Sequence, residues 1–167
     1  NNAILQANFN GSVGTGPITI NGGNFLAGAD NLTFSNTFLA TSFGGAIDNG
    51  GFTLTIAGQI KDDPVNGPGN IIFQGVGTTI LTNTNTYTGG TLICACSTLQ
   101  LGTISQSGSI VGPVDNEGVF DIVNANTSGI TTVTNRGGAF TIFRNSTDAG
   151  TMTIENVVDG FGFGSVE

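Results

Sequence analysis

The sequence predicts an all-β solenoid of about 20–22 residues per coil, and three observations support it. The first is composition. Gly (28), Thr (24) and Asn (19) dominate the 167 residues, whereas Lys and Arg number 3 and Asp and Glu 11. Gly and Asn tolerate the positive φ of turns, while Thr, Val, Ile and Phe favour strands. With 38% hydrophobic residues and 12 Phe, the chain has enough apolar surface to fold. No stretch sets apolar residues at helical spacing. The second observation is a recurring triplet, apolar–polar–apolar, and the third is the distance between its copies.

The triplets run in order as Leu32-Thr33-Phe34, Leu54-Thr55-Ile56, Leu99-Gln100-Leu101, Phe120-Asp121-Ile122, Phe140-Thr141-Ile142 and Met152-Thr153-Ile154. In a strand the outer members face one way and the middle one the other, so each reads as a strand with one buried face. Leu32 to Leu54 is 22 residues, Leu99 to Phe120 is 21 and Phe120 to Phe140 is 20, with Gly- or Asn-rich turns between. Stacking such coils predicts one internal column of Leu32, Leu54, Leu99, Phe120 and Phe140. A second contains Phe34, Ile56, Leu101, Ile122 and Ile142. About eight coils would make a rod roughly 40 Å long. Two spacings break the cadence: Ile71 follows Leu54 by 17 residues and Met152 follows Phe140 by 12. Extra strands and loops absorb such breaks. Lys61 to Gly69, with two Pro and two Gly, reads as an excursion between coils. A β-sandwich is the competing fold, but it usually carries more surface charge and needs no single period.

Net charge is −8, and Lys61, Arg136 and Arg144 are the only cations. Nucleic acid binding requires a dense basic footprint, so it is excluded, and anionic membrane surfaces are disfavoured. No run approaches the roughly 18 apolar residues of a spanning segment, so this stretch inserts in no membrane. The chain opens Asn1-Asn2 without Met or a signal peptide, and residues 1–167 read as one solenoid piece of a larger protein.

From Leu54 to Gly102 the order of features becomes specific: "LTIAGQI", "GNIIFQGVGTTIL", "TNTNTYTGGTLI" and "STLQLG". This resembles the passenger-associated repeat of bacterial autotransporters. The match runs through Gly75, Gly77 and Thr78, then Asn85-Thr86-Tyr87-Thr88-Gly89-Gly90-Thr91, then Thr98, Leu99, Leu101 and Gly102. The chain departs at Cys96-Ser97, where the family commonly has Gly before Thr-Leu. "FGGAI" (Phe43–Ile47) also resembles the repeats of chlamydial polymorphic membrane proteins, themselves autotransporters. The resemblance implies a right-handed parallel β-helix, secreted or displayed on the bacterial surface beyond the outer membrane. A C-terminal translocator β-barrel in the full-length protein would export it. Its implied roles are support of secretion and folding and presentation of an adhesin or virulence surface, with host-cell surfaces or further copies as partners. No cofactor is implied.

The chemistry beside this is sparse. Absence of His removes Ser-His-Asp and Cys-His catalysis. Some parallel β-helices cleave carbohydrate, and Asp62/Asp63 and Asp115/Glu117 are the nearest acidic pairs, but sequence neighbours alone do not form facing carboxyls. Asp62-Asp63 could hold calcium, although the nonapeptide calcium repeat is missing. Cys94-Ala95-Cys96 leaves a local disulfide and two free thiols open. In an extended strand their Cα atoms lie near the upper limit for a bridge, and the turn that the resemblance implies would ease closure. Thr33, Thr55, Thr141 and Thr153 take outward middle positions, and Thr84, Thr86 and Thr88 share a face. A Thr array of that kind would suit ice or another surface, while Gln100 and Asp121 interrupt it.

Overall fold

The computed structural model describes residues 3–158, so both ends of the 1–167 segment lie outside the described residues. These residues form strands and turns with no helix. The first coil holds β1 (Ile4–Ala7) and β2 (Ile18–Ile20). The second holds β3 (Asn24–Ala27), β4 (Leu32–Phe34) and β5 (Phe38–Ala40). The third holds β6 (Ala46–Asp48), β7 (Thr53–Ile56) and β8 (Ile60–Asp62). Two-stranded coils follow: β9 (Ile71–Gln74) with β10 (Thr78–Leu81), and β11 (Thr91–Ile93) with β12 (Thr98–Leu101). Next come β13 (Gly112–Asn116) with β14 (Val119–Ile122), β15 (Ile130–Arg136) with β16 (Phe140–Phe143), and finally β17 (Thr153–Val157).

The strands stack coil on coil into three parallel sheets. One has eight strands (β1-β3-β6-β9-β11-β13-β15-β17), one six (β4-β7-β10-β12-β14-β16) and one three (β2-β5-β8). The result is a β-solenoid of about seven turns, roughly 21 residues each, one fewer than the eight expected. Ala46 pairs with Ile72, a step of 26 residues that accommodates the loop after β8, whereas Ile71 pairs with Thr91, a step of 20. The two broken spacings now have a cause. Ile71 and the Met152–Ile154 triplet belong to the eight-stranded sheet, not to the six-stranded sheet of the other triplets.

Register in the six-stranded sheet gives the inner columns as Leu32–Leu54–Thr79–Leu99–Phe120–Thr141 and Phe34–Ile56–Leu81–Leu101–Ile122–Phe143. Eight of the ten expected column residues hold their places. Phe140 and Ile142 do not, because β16 sits one residue out of the expected phase. Phe140 pairs with Val119 and is 63% exposed, and Ile142 stacks beside Asp121 on the outer ladder. Thr141, expected outside, takes the inner position, where its hydroxyl donates to Asn135 Oδ1 at 2.7 Å. The outer ladder is Thr33–Thr55–Ile80–Gln100–Asp121–Ile142, which is no threonine array.

In the second coil the three sheets meet through aromatic rings. Phe25, Phe34 and Phe38 come one from each sheet, and Phe25 packs edge-on against both others at 5.1 and 5.2 Å. Each such aromatic pair adds about 0.5–1.5 kcal/mol beyond its area burial. Along the eight-stranded sheet, the inner column changes character: Phe25–Ile47–Phe73–Ile93 gives way to Asn116–Asn135–Asn156. The amides hydrogen-bond up the stack, Asn116 to Asn135 at 2.8 Å and Asn135 to Asn156 at 3.0 Å. Paired this way, buried amides avoid the desolvation cost of an orphan polar group.

Thr79 is an exception. Its hydroxyl is fully buried between Leu54 and Leu99 and has no partner. Thr79→Val keeps the shape and removes the unpaired group, and is expected to stabilise the fold by about 1 kcal/mol. A rise in the urea midpoint checks this; a fall would mean that the hydroxyl is satisfied in solution.

Candidate functional site

The three-stranded sheet ends at β8, and the motif segment 83–88 lies over it. Strand-like alternation persists there: Thr84, Thr86 and Thr88 face out, and Asn85 and Tyr87 face in, both fully buried. Thr86 N donates to Ile60 O at 2.8 Å, an ordinary ladder bond to the coil before. The next bond is different, because Ile60 N donates to the Asn85 side chain, Oδ1, at 2.8 Å. The amide's other end donates to Asn83 O (3.0 Å) and to Ser109 O of the following coil (2.9 Å). Asn85 therefore joins three successive coils through one side chain.

The remaining motif residues extend the clamp. Tyr87 OH lies 2.6 Å from Thr91 Oγ1, which begins β11. Thr88 donates through its backbone N and through Oγ1, the latter at 2.7 Å, to the Asp62 carboxylate, which also accepts Gly69 N. Gly89 N donates to Gly69 O, and an added Cβ on Gly89 would stand 2.2 Å from the Gly69 carbonyl carbon. Gly90, at φ +92°, turns the chain into β11. Thus the motif serves as a corner built from buried polar side chains and close backbone approach.

Burial drives the Tyr87 pKa well above its ordinary value of about 10, since a phenolate there would lose its hydration. A raised folded-state value means that the folded chain holds the proton more tightly. Stability from this group is full below about pH 10 and falls as pH rises above it. Tyr87 is the only tyrosine, and Trp is absent. In an alkaline titration phenolate absorbance is expected to appear only together with loss of β-structure. A separate, earlier ionisation would contradict the burial.

Two further corners, both read from the sequence only as turns before a strand, use the same device. Asn49, fully buried, accepts from Gly51 N (2.9 Å) and Gly77 N (2.8 Å) and donates to Gly75 O. Asn116 accepts from Gly118 N (3.1 Å) and donates to Phe140 O (2.9 Å). Their shared signal is Asn-x-Gly just before a strand of the six-stranded sheet. Ser97, which occupies the departure from the family pattern, is also buried and lies 3.4 Å from Asn49 Nδ2.

The acidic pairs do not face each other across a cleft. Asp62 is bound as above, and Asp63 caps its own loop by accepting from Asn66 N and Val65 N, bonds that hold its carboxyl below the usual range. Asp115 pairs with Arg136 and Asp121 with Arg144, each at 2.6 Å. No cluster of three or more Cys, Asp or Glu side chains suited to a metal occurs among the described residues. Cys94 and Cys96 are free thiols, so the local disulfide left open by the sequence is not formed. Both lie in a turn closed by Ser97 N donating to Cys94 O at 2.8 Å. Burial, then Glu117, Cys96 and Asp48, raise the Cys94 pKa.

Fold and site together define a parallel β-solenoid whose coils are tied at the corners by buried Asn, Tyr and Thr side chains. No protein-family model, curated protein or solved structure matches the chain.

Proposed function

We propose that this chain is a structural segment of a secreted or surface-displayed autotransporter passenger, supporting export and folding and presenting a surface to host or neighbouring cells. The observation that carries this reading is the role of Asn85–Thr91. The stretch that resembles the passenger repeat latches a coil to both its neighbours through Ile60, Asp62, Gly69 and Ser109. A solenoid contacts chiefly adjacent coils, so each coil can form on the one already folded as the chain emerges from a pore. The carboxylates detailed above serve turns and ion pairs, which favours a scaffold over a hydrolase. Low charge also eases passage of the extended chain.

The test is export. The chain, preceded by a signal peptide and fused to a translocator β-barrel, is expressed in a Gram-negative host. Folded, protease-resistant material on the cell surface supports the reading, and Asn85→Ala should leave exported chains that protease degrades. Retention in the periplasm, or a native full-length gene without a translocator β-barrel, would sink it.

A further inference from the structure

The loop that lengthens the third coil builds something beside the three-stranded sheet. Between that loop and the segment leading into β2 lies a groove of about 390 Å³, toward the lower end of the ~300–1,000 Å³ typical of small-molecule sites. Its floor is the outer face of β5 and β8, where Leu39 and Lys61 are register partners. Pro17 and Pro64 supply apolar walls, and Thr15, Ser35 and Thr37 line it with hydroxyls.

Lys61 is unlike the other two cations. Arg136 and Arg144 are each paired with an aspartate of the previous coil. Lys61 has two aspartates next to it in sequence, yet Asp62 is occupied by Thr88 and Gly69, and Asp63 by its own loop. The ammonium is exposed and, among the described residues, has no ion pair. Among the described residues the three hydroxyls in the groove likewise make no side-chain bond to protein, whereas Asn10, Asn36 and Thr41 nearby are all engaged.

We propose that this groove binds a sugar bearing a single carboxylate, a uronate-type monosaccharide unit. One cation balances one negative charge, and a net charge of −8 disfavours polyanions. Hydroxyls that both donate and accept match a polyol, and Leu39 with the two prolines matches the C–H face of a sugar ring. The carboxylate sits on Lys61 Nζ. In a shallow, solvated groove the affinity is expected near the millimolar range, since an exposed ion pair contributes little and salt screens it. This gives the displayed scaffold a ligand, but it rests on the soluble chain alone, so binding and export can fail independently.

The test is an NMR titration of the isotope-labelled 167-residue chain with sodium glucuronate, glucose and sodium acetate at matched ionic strength. Glucuronate is expected to shift the amides of Thr15, Ser35, Thr37, Leu39 and Lys61. Lys61→Gln should weaken binding about threefold while Lys61→Arg retains it. Among the described residues Lys61 has no ion pair to lose, so the dispersion of the spectrum should confirm that both variants fold. No localised shift, equal binding of glucose, equal binding of acetate, or indifference to Lys61→Gln would each overturn the proposal.

Discussion

Replacing Asn85 with alanine is expected to lower the unfolding free energy by about 3 kcal/mol, a large share of the roughly 5–15 kcal/mol that holds a domain together. Ile60 N would become a buried donor stripped of the acceptor that Asn85 Oδ1 provides at 2.8 Å. Ser109 O and Asn83 O lose one donor each but keep the backbone bonds from Asn85 N and Ser109 N, so their cost is smaller. Asn85→Asp separates the two halves of the amide. The carboxylate still accepts from Ile60 N but sets negative charge against two carbonyl oxygens, which raises its folded-state pKa. That variant should be most stable in acid, below about pH 4, and lose stability as pH rises. Urea unfolding at two pH values measures both effects. A neutral Asn85→Ala, or no pH dependence for Asn85→Asp, would mean that the corner is held by the backbone alone.

Gly89→Ala should cost at least about 3 kcal/mol, by a different route. A Cβ there would be 2.2 Å from Gly69 C and 2.4 Å from Asn70 N, all backbone of the coil below. Backbone cannot swing aside as a side chain can, so the coils must part, and Gly89 N to Gly69 O and the Asp62 contacts part with them. Gly16→Ala is the control. Nothing lies within 4 Å of an added Cβ there, so the change should stay within about 0.5 kcal/mol. Equal unfolding midpoints for both variants would refute the close approach at Gly89.

How far the sequence could be read follows from which face each residue serves. Leu54, Leu99 and Phe120 betray themselves because an apolar residue alternates with a polar one at a steady interval, and that alternation is the buried face. The segment Phe140–Phe143 carries apolar residues in both phases, so the triplet rule could not choose. The 21-residue step from Phe120 to Thr141 decides, helped by the bond from Thr141 to Asn135. Polar residues that face inward were harder. Thr79, Asn116 and Asn135 look like surface residues until their coil neighbours are known. Asn85–Thr91 could be singled out as a motif, but its partners Ile60, Asp62 and Ser109 lie 24 or more residues away from the side chains they meet. Lys61 could be noticed only as one of three cations; its groove needs the stacking of three coils.

The change from Phe and Ile to Asn along one inner column makes the two ends of the rod unequal. Coils around Phe25, Phe34 and Phe38 are sealed by interlocked rings, while those around Asn135 and Asn156 rely on amides and on strands that are half-buried (β16) or exposed (β17). In a molecule whose coils interact chiefly with nearest neighbours, local opening need not be shared along its length. Amide protons of β15–β17 should therefore exchange with solvent first and those of β3–β6 last. Unravelling would travel as a front from the amide-rich end, and a probe at either end would report a different melting temperature.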